Sequence, residues 1–197
     1  MIGIIDYNMG NLASVYNACK LIDADATIVK NPEDLKKFNR VILPGVGAYK
    51  DAMEHLIQTG MNEAVYEFAK TGKPMIGICL GMQLLFESSQ EFGHSDGLGL
   101  IDGHVIKFDK SKMHEDFKIP HMGWNTIKNK ENPLFEGLKD PYLYFVHSYH
   151  AVTSEKNIIG TTTYGYDFVS AVNKDNIYGL QPHPEKSHDN GLRILKN

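Results

Sequence analysis

Apolar and polar positions change rhythm along the chain. "IGII" (2–5), "ATIV" (26–29), "RVILP" (40–44) and "PMIGI" (74–78) are short apolar runs bounded by turn residues, the pattern of strands buried on both faces. Between the first two, Leu12, Val15, Tyr16, Cys19 and Ile22 recur at helical spacing, which predicts a helix over residues 11–22. Further helices are predicted near 49–58 and 62–70, and again after Cys79, where "LGMQLLFESS" keeps helical spacing. Strands alternating with helices imply a parallel sheet covered on both faces. In the second half the rhythm differs. "HVIKF", "YLYFVHS", "IIGTTTY", "FVSAV" and "IYGLQ" are short β-branched or aromatic segments between turn residues, and predict added strands, some of them antiparallel. "SSQEFGHSDGLG" reads as a loop, and about 189–196 as a closing helix. No internal repeat or low-complexity segment interrupts the pattern. The expectation is one α/β domain over residues 1–197, a three-layer fold with a mostly parallel central sheet plus added antiparallel strands.

Composition narrows the classes. Of 197 residues, 42% are hydrophobic, enough for a real core, and 22% are charged. The net charge is −4 with no long Lys/Arg run, which argues against a nucleic-acid or anionic-membrane partner. No apolar run approaches the roughly 18–20 residues of a membrane span. The N-terminal "MIGIIDYN" has no basic stretch ahead of an apolar one, so no signal peptide is expected. The two cysteines, Cys19 and Cys79, cannot build a disulfide framework, and both free thiols point to a reducing cytoplasm. Cys19 lies on the apolar face of its helix and reads as plain core.

Cys79 is different. "GICLG" is the cysteine form of G-x-S-x-G, a sharp strand-to-helix turn that exposes a nucleophile. Residues two before and two after the nucleophile approach closely, which explains both glycines. The turn also sets the thiol at the next helix's N-terminus, whose partial positive charge favours a thiolate. The Leu80 N–H is then placed to bind an oxyanion. The plainer alternative is a packed cysteine between turn glycines. A nucleophile needs a base and a group that orients the base. In "LQPHPEKS", Pro182 and Pro184 disfavour helix for the residues before them, so the segment reads as extended. There, His183 and Glu185 face the same side, with Glu185 at one imidazole nitrogen and the other nitrogen free for Cys79. The glycine-rich "LPGVGAYK" matches neither the dinucleotide fingerprint nor the P-loop, so it is not read as a phosphate cradle. Gly45 and Gly47 still permit unusual backbone angles at the sheet's C-terminal edge. His147 and His150, three apart, are expected on opposite sides of one strand, and His121 and Trp124 in a Pro/Gly-bounded patch of core or loop packing rather than chemistry. No histidine cluster has zinc-site spacing, so no metal and no cofactor is expected.

"DYNMGN", "LPGVGA", "GICLGMQLL", "IPHMGWN", "YFVHSY" and "HPEKS" follow one another across nearly the whole chain. In these motifs the chain resembles the class I, triad-type glutamine amidotransferases. "PHMGWN" and "YFVHSY" narrow the likeness to the glutaminase subunits of imidazole glycerol phosphate synthases. The resemblance implies that Cys79 attacks the amide of glutamine, His183 moves protons and Glu185 orients His183. It implies Gln83, Glu91, Ser148 and Tyr149 at the substrate, and backbone N–H groups at Gly47 and Leu80 for the oxyanion. The partner it implies is a cyclase subunit, a (β/α)8 barrel, facing Asn11, Trp124 and Lys186; the barrel takes the ammonia and makes imidazole glycerol phosphate in histidine biosynthesis. Pro182 departs from the family, which usually has an aromatic residue before the histidine. Two other readings keep the fold: a glutaminase supplying a different synthase, for example in sugar amidination, and a scaffold without turnover. Intact Cys79, His183 and Glu185 count against the scaffold.

Overall fold

The computed structural model describes residues 1–113 and 116–197. The chain runs β1 (Ile2–Ile5), α1 (Leu12–Leu21), β2 (Ala26–Val29), β3 (Arg40–Leu43), α2 (Tyr49–Thr59), α3 (Met61–Lys70), β4 (Met75–Ile78), α4 (Leu80–Leu84), β5 (Phe86–Ser89), β6 (Ser95–Asp96) and β7 (Ile101–Lys107). It continues through β8 (His121–Thr126), β9 (Lys128–Asn129), β10 (Tyr142–His147), β11 (Tyr149–Val152), β12 (Ile158–Tyr164), β13 (Tyr166–Lys174), β14 (Ile177–Leu180) and α5 (His188–Lys196).

The central sheet has the order β2-β1-β3-β4-β14-β13-β11-β7-β5-β6. Its first five strands are all parallel. From β14 onward antiparallel pairing dominates. Apolar side chains on the two faces of the parallel strands are covered by different helices. Val15 and Cys19 of α1 pack with Ile4, Ile42 and Ile78, while Leu56, Val65 and Phe68 of α2 and α3 pack with Ile5, Val41 and Met75. This accounts for the near-continuous apolar runs: a strand buried on both faces has no polar side. A second apolar cluster, around Ile127, Phe145, Phe168 and Leu180, joins the long β-region to the parallel half.

Several expectations change. Helical spacing after Cys79 gives way early: α4 stops at Leu84, and Phe86–Ser89 is a strand paired with β7. The expected loop at 88–99 therefore contains the end of β5 and the short β6, which pair with each other. Of the core or loop packing expected for His121 and Trp124, the structure shows the core form for His121, which is buried, while His121–Thr126 forms β8 and pairs along its length with β10. His147 and His150 do not lie on one strand. The chain breaks at Ser148, so His147 ends β10 in one sheet and His150 sits in β11 of the other, and both rings pack on Phe108, with centroids 5.2 and 4.8 Å away. A break resets the two-residue alternation from which sidedness was read. No helix among the described residues is long and apolar enough to cross a membrane.

Candidate active site

The strands β3, β4 and β14 lie side by side and end together, so the segments that follow them converge at one edge of the sheet, where ligands bind in open α/β folds. After β4 the chain turns at Cys79 with φ 55° and ψ −112°, a conformation costly for a non-glycine residue. The Cys79 N–H donates to the Leu180 carbonyl at 2.8 Å, tying the turn to the end of β14. Close approach across the turn is what its glycines allow. A Cβ on Gly77 would lie 2.5 Å from the Gly81 carbonyl oxygen, and one on Gly81 would lie 1.8 Å from the Leu43 carbonyl oxygen. Gly45 packs on the same turn, where a Cβ would come within 2.8 Å of the Gly81 nitrogen. The glycine-rich loop is thus packed on the elbow. Gly47 has φ +100°, a left-handed value that glycine adopts without strain.

The segment after β14 carries the histidine. His183 is extended, with φ −99° and ψ 95°, as a residue before proline should be. Its N–H donates to the Tyr144 carbonyl at 2.9 Å, and its carbonyl accepts from the Ser187 hydroxyl. Glu185 is not extended, as the sequence suggested. Pro184–Lys186 is a 3₁₀ turn, and the turn rather than strand alternation swings the carboxylate back. The contact is nonetheless made: His183 Nδ1 lies 2.7 Å from Glu185 Oε1, with the two side chains 2% and 1% exposed. His183 Nε2 is buried with no hydrogen-bond partner among the described residues. Burial alone would push the imidazole down, but the nearby Cys79 sulfur and the Glu185 carboxylate outweigh it and raise its pKa to about 10. The imidazolium is therefore the favoured form of His183.

A pocket of about 560 Å³ opens in front of the sulfur, lined by Gly47, Leu80, Gln83, Glu91, Ser148, Tyr149 and His183. All the residues read from sequence as catalytic, oxyanion-binding or substrate-contacting thus come together. The Glu91 carboxylate is held at the start of α2 by the Tyr49 N–H at 2.7 Å. Asn11, Trp124 and Lys186 fall elsewhere, outside the pocket. Asn11 precedes α1, which packs on the 3₁₀ turn holding exposed Lys186. Trp124 is 37% exposed and stacks on His188 with ring centroids 5.1 Å apart. Sequence reasoning missed Lys107 and Phe92 on the pocket wall, and Gln181 behind the thiol. Lys107 and Phe92 left no local signal. Gln181 did: it stands two residues before His183, so the rule that paired His183 with Glu185 also applies on the other side. Pro182 is buried beside His183. Among the described residues no group of three or more metal-ligating side chains converges.

A strained cysteine on a strand-to-helix turn, with a histidine backed by a carboxylate lining the same pocket, is the arrangement that hydrolases with a cysteine nucleophile use. The model of the family "Glutamine amidotransferase class-I" matches residues 3–197, and the chain belongs to that family as a glutamine amidotransferase. It is 63% identical to the imidazole glycerol phosphate synthase subunit HisH of Sulfurimonas denitrificans, over all of this chain and 96% of that one. Its identity to the subunit of the same name from Wolinella succinogenes is 60%, over all of this chain and 98% of the other. A crystal structure of a glutamine amidotransferase shares its fold, with a TM-score of 0.76 at 17% identity, covering 99% of this chain and 96% of that one.

Proposed function

We propose that this chain, one amidotransferase domain over residues 1–197, is the glutaminase subunit of an imidazole glycerol phosphate synthase and acts in histidine biosynthesis. The observation that carries the chemistry is the buried His183–Glu185 pair at 2.7 Å beside a sulfur held on a strained turn. The full-length identity to HisH subunits supports the choice of synthase. Cys79, as thiolate, attacks the side-chain amide carbon of glutamine. The oxyanion takes hydrogen bonds from the Leu80 and Gly47 N–H groups. His183 gives its proton to the departing nitrogen, so that ammonia leaves and a thioester remains. His183 then takes a proton from water, which attacks the thioester, releases glutamate and restores the thiolate–imidazolium pair. Glu185 holds the imidazole and its charge in place. Glu91 suits the α-ammonium group of the substrate, and Gln83, Ser148 and Tyr149 line its path. Ammonia passes to a (β/α)8 cyclase subunit docked against Asn11, Trp124 and Lys186, and the pair works in the cytoplasm, where free thiols such as Cys19 and Cys79 persist.

The test mixes the chain with that cyclase and measures glutamate release with and without the cyclase's ribonucleotide. Cys79→Ala should abolish glutamine-dependent synthesis and leave ammonium-dependent synthesis intact. Glutamine-dependent activity near wild type in Cys79→Ala would sink the reading.

A further inference from the structure

The carbonyl oxygen of Tyr149 sets the direction of a chain of hydrogen bonds around the pocket wall. A carbonyl oxygen can only accept. The side chain of Gln83 meets it at 3.0 Å, so the atom presented there is the amide nitrogen, Nε2. That same nitrogen lies 3.0 Å from the side-chain amide of Gln181, which is thereby obliged to present its oxygen. Gln181 is left with its own Nε2 toward Cys79 Sγ, at 3.8 Å. The order follows from one backbone atom and does not depend on how either amide is flipped in isolation.

The opposite branch obeys the same rule. His147 Nδ1 lies 2.8 Å from the Tyr149 carbonyl oxygen and so carries the proton. Its Nε2 then accepts from His121 Nδ1 at 3.1 Å, and His121 Nε2 faces the Asn125 amide nitrogen at 3.3 Å. Every link is satisfied with both imidazoles neutral. Burial favours that state, holding His121 down to about 4 and His147 to about 3. Protonation therefore does not reverse the chain anywhere near neutral pH.

We propose that Gln181 is the amide donor that supports the Cys79 thiolate, its polarity imposed by the Tyr149 carbonyl through Gln83. Gln181 is fully buried, so its N–H reaches the sulfur without competition from bulk water. A hydrogen bond to an ionised group is worth more than one to a neutral group, so the donor favours thiolate over thiol. A consequence follows for Gln83. With its amide nitrogen engaged by two acceptors, it offers the pocket its oxygen, which suits a substrate N–H and rejects an acceptor at that point. The inference rests on the reading of Cys79 as nucleophile.

Alkylation of Cys79 by iodoacetamide, followed by mass spectrometry across a pH series, tests the thiolate without requiring turnover. The other titratable groups around the sulfur are His183 with Glu185 behind it, Tyr7, and Glu91, Lys107, His147 and Tyr149 along the pocket. They are unchanged in the variants used. Gln181→Met removes the donor at similar volume, and Gln181→Asn keeps an amide too short to reach the sulfur. In both, the alkylation midpoint should move up by about one pH unit, a roughly tenfold slower reaction below it. Glutaminase kcat should fall by a similar factor, with KM less affected. A midpoint unchanged in folded variants overturns the role of Gln181. No alkylation of Cys79 in the wild type overturns the nucleophile reading instead. If neither variant folds, the wild-type Gln181 side-chain N–H resonances decide: they should move as the sulfur ionises, and resonances that stay fixed through that transition refute the proposal.

Discussion

Replacing Glu185 with Gln removes one charge and almost no volume from a pair that is closed to solvent. The wild-type carboxylate accepts from His183 Nδ1 at 2.7 Å through Oε1, while Oε2 is buried with no partner among the described residues. The variant amide has two orientations, and both are poor. With its oxygen toward Nδ1, the imidazole keeps the right tautomer, but an NH₂ group occupies the place where nothing accepts. With its nitrogen toward Nδ1, the proton is forced onto Nε2, the atom that has to take a proton from water. A hydrogen bond to a charged group contributes about 1.5–3 kcal/mol, which alone converts to roughly 10- to 150-fold in rate. Loss of the correct tautomer extends the range toward about 10⁴-fold, as for the carboxamide replacement in other triads. We expect kcat/KM for glutamine to fall by about 10²–10⁴-fold, read as glutamate release by the chain mixed with the proposed cyclase subunit. The sign of the pH effect is also set. In the wild type the raised imidazole contributes stability in full below about pH 6.5, and this is lost as pH rises through about 10. Glu185→Gln should narrow that window from above. A variant within a factor of about two of wild type would refute the role given to Glu185.

Gly81→Ala sets a Cβ 1.8 Å from the Leu43 carbonyl oxygen, backbone against backbone, and should cost at least about 3 kcal/mol, a fall in Tm of roughly 6–12 °C by calorimetry; an unchanged Tm would contradict the packing of the elbow. Gly47→Ala puts a side chain at φ +100°, with Met9 only 3.0 Å from the new Cβ, and should cut glutamate release by the chain mixed with the proposed cyclase by about 10²–10³-fold while the fold survives; an unchanged rate would remove Gly47 from the proposed oxyanion site. His121, His147 and His150 are buried with lowered pKa values, so below about pH 6.5 the unfolded chain binds more protons and stability falls as pH drops, by up to about 1.4 kcal/mol per pH unit for each. In urea titrations between pH 7 and 5, His150→Gln should flatten this slope, and an unaltered slope would show that His150 titrates normally.

The sequence determined what depends on near neighbours. Apolar runs declared the parallel strands because burial on both faces leaves no room for polar positions. The elbow was legible because two glycines and a strained turn are local requirements of a thiol carried on a strand end. His183 and Glu185 were legible as a pair because Pro184 restricts the backbone between them. Where the chain had two local options, tertiary structure chose. "FESS" continues a helical pattern, yet pairing with β7 draws it into a strand. "PHMGWN" has turn-like glycine and proline, yet the facing β10 supplies partners for its backbone. Glu185 reaches His183 through a 3₁₀ turn, a geometry that the i,i+2 rule did not contain. The meeting of Cys79 with His183, 104 positions apart, exists only because β4 and β14 are adjacent strands whose ends coincide. The chain of amides and imidazoles that ends at Gln181 and the sulfur draws on β8, β10, α4 and the segment after β14. Its polarity comes from a single backbone carbonyl, and a side-chain pattern along the sequence carries no record of which way that carbonyl points.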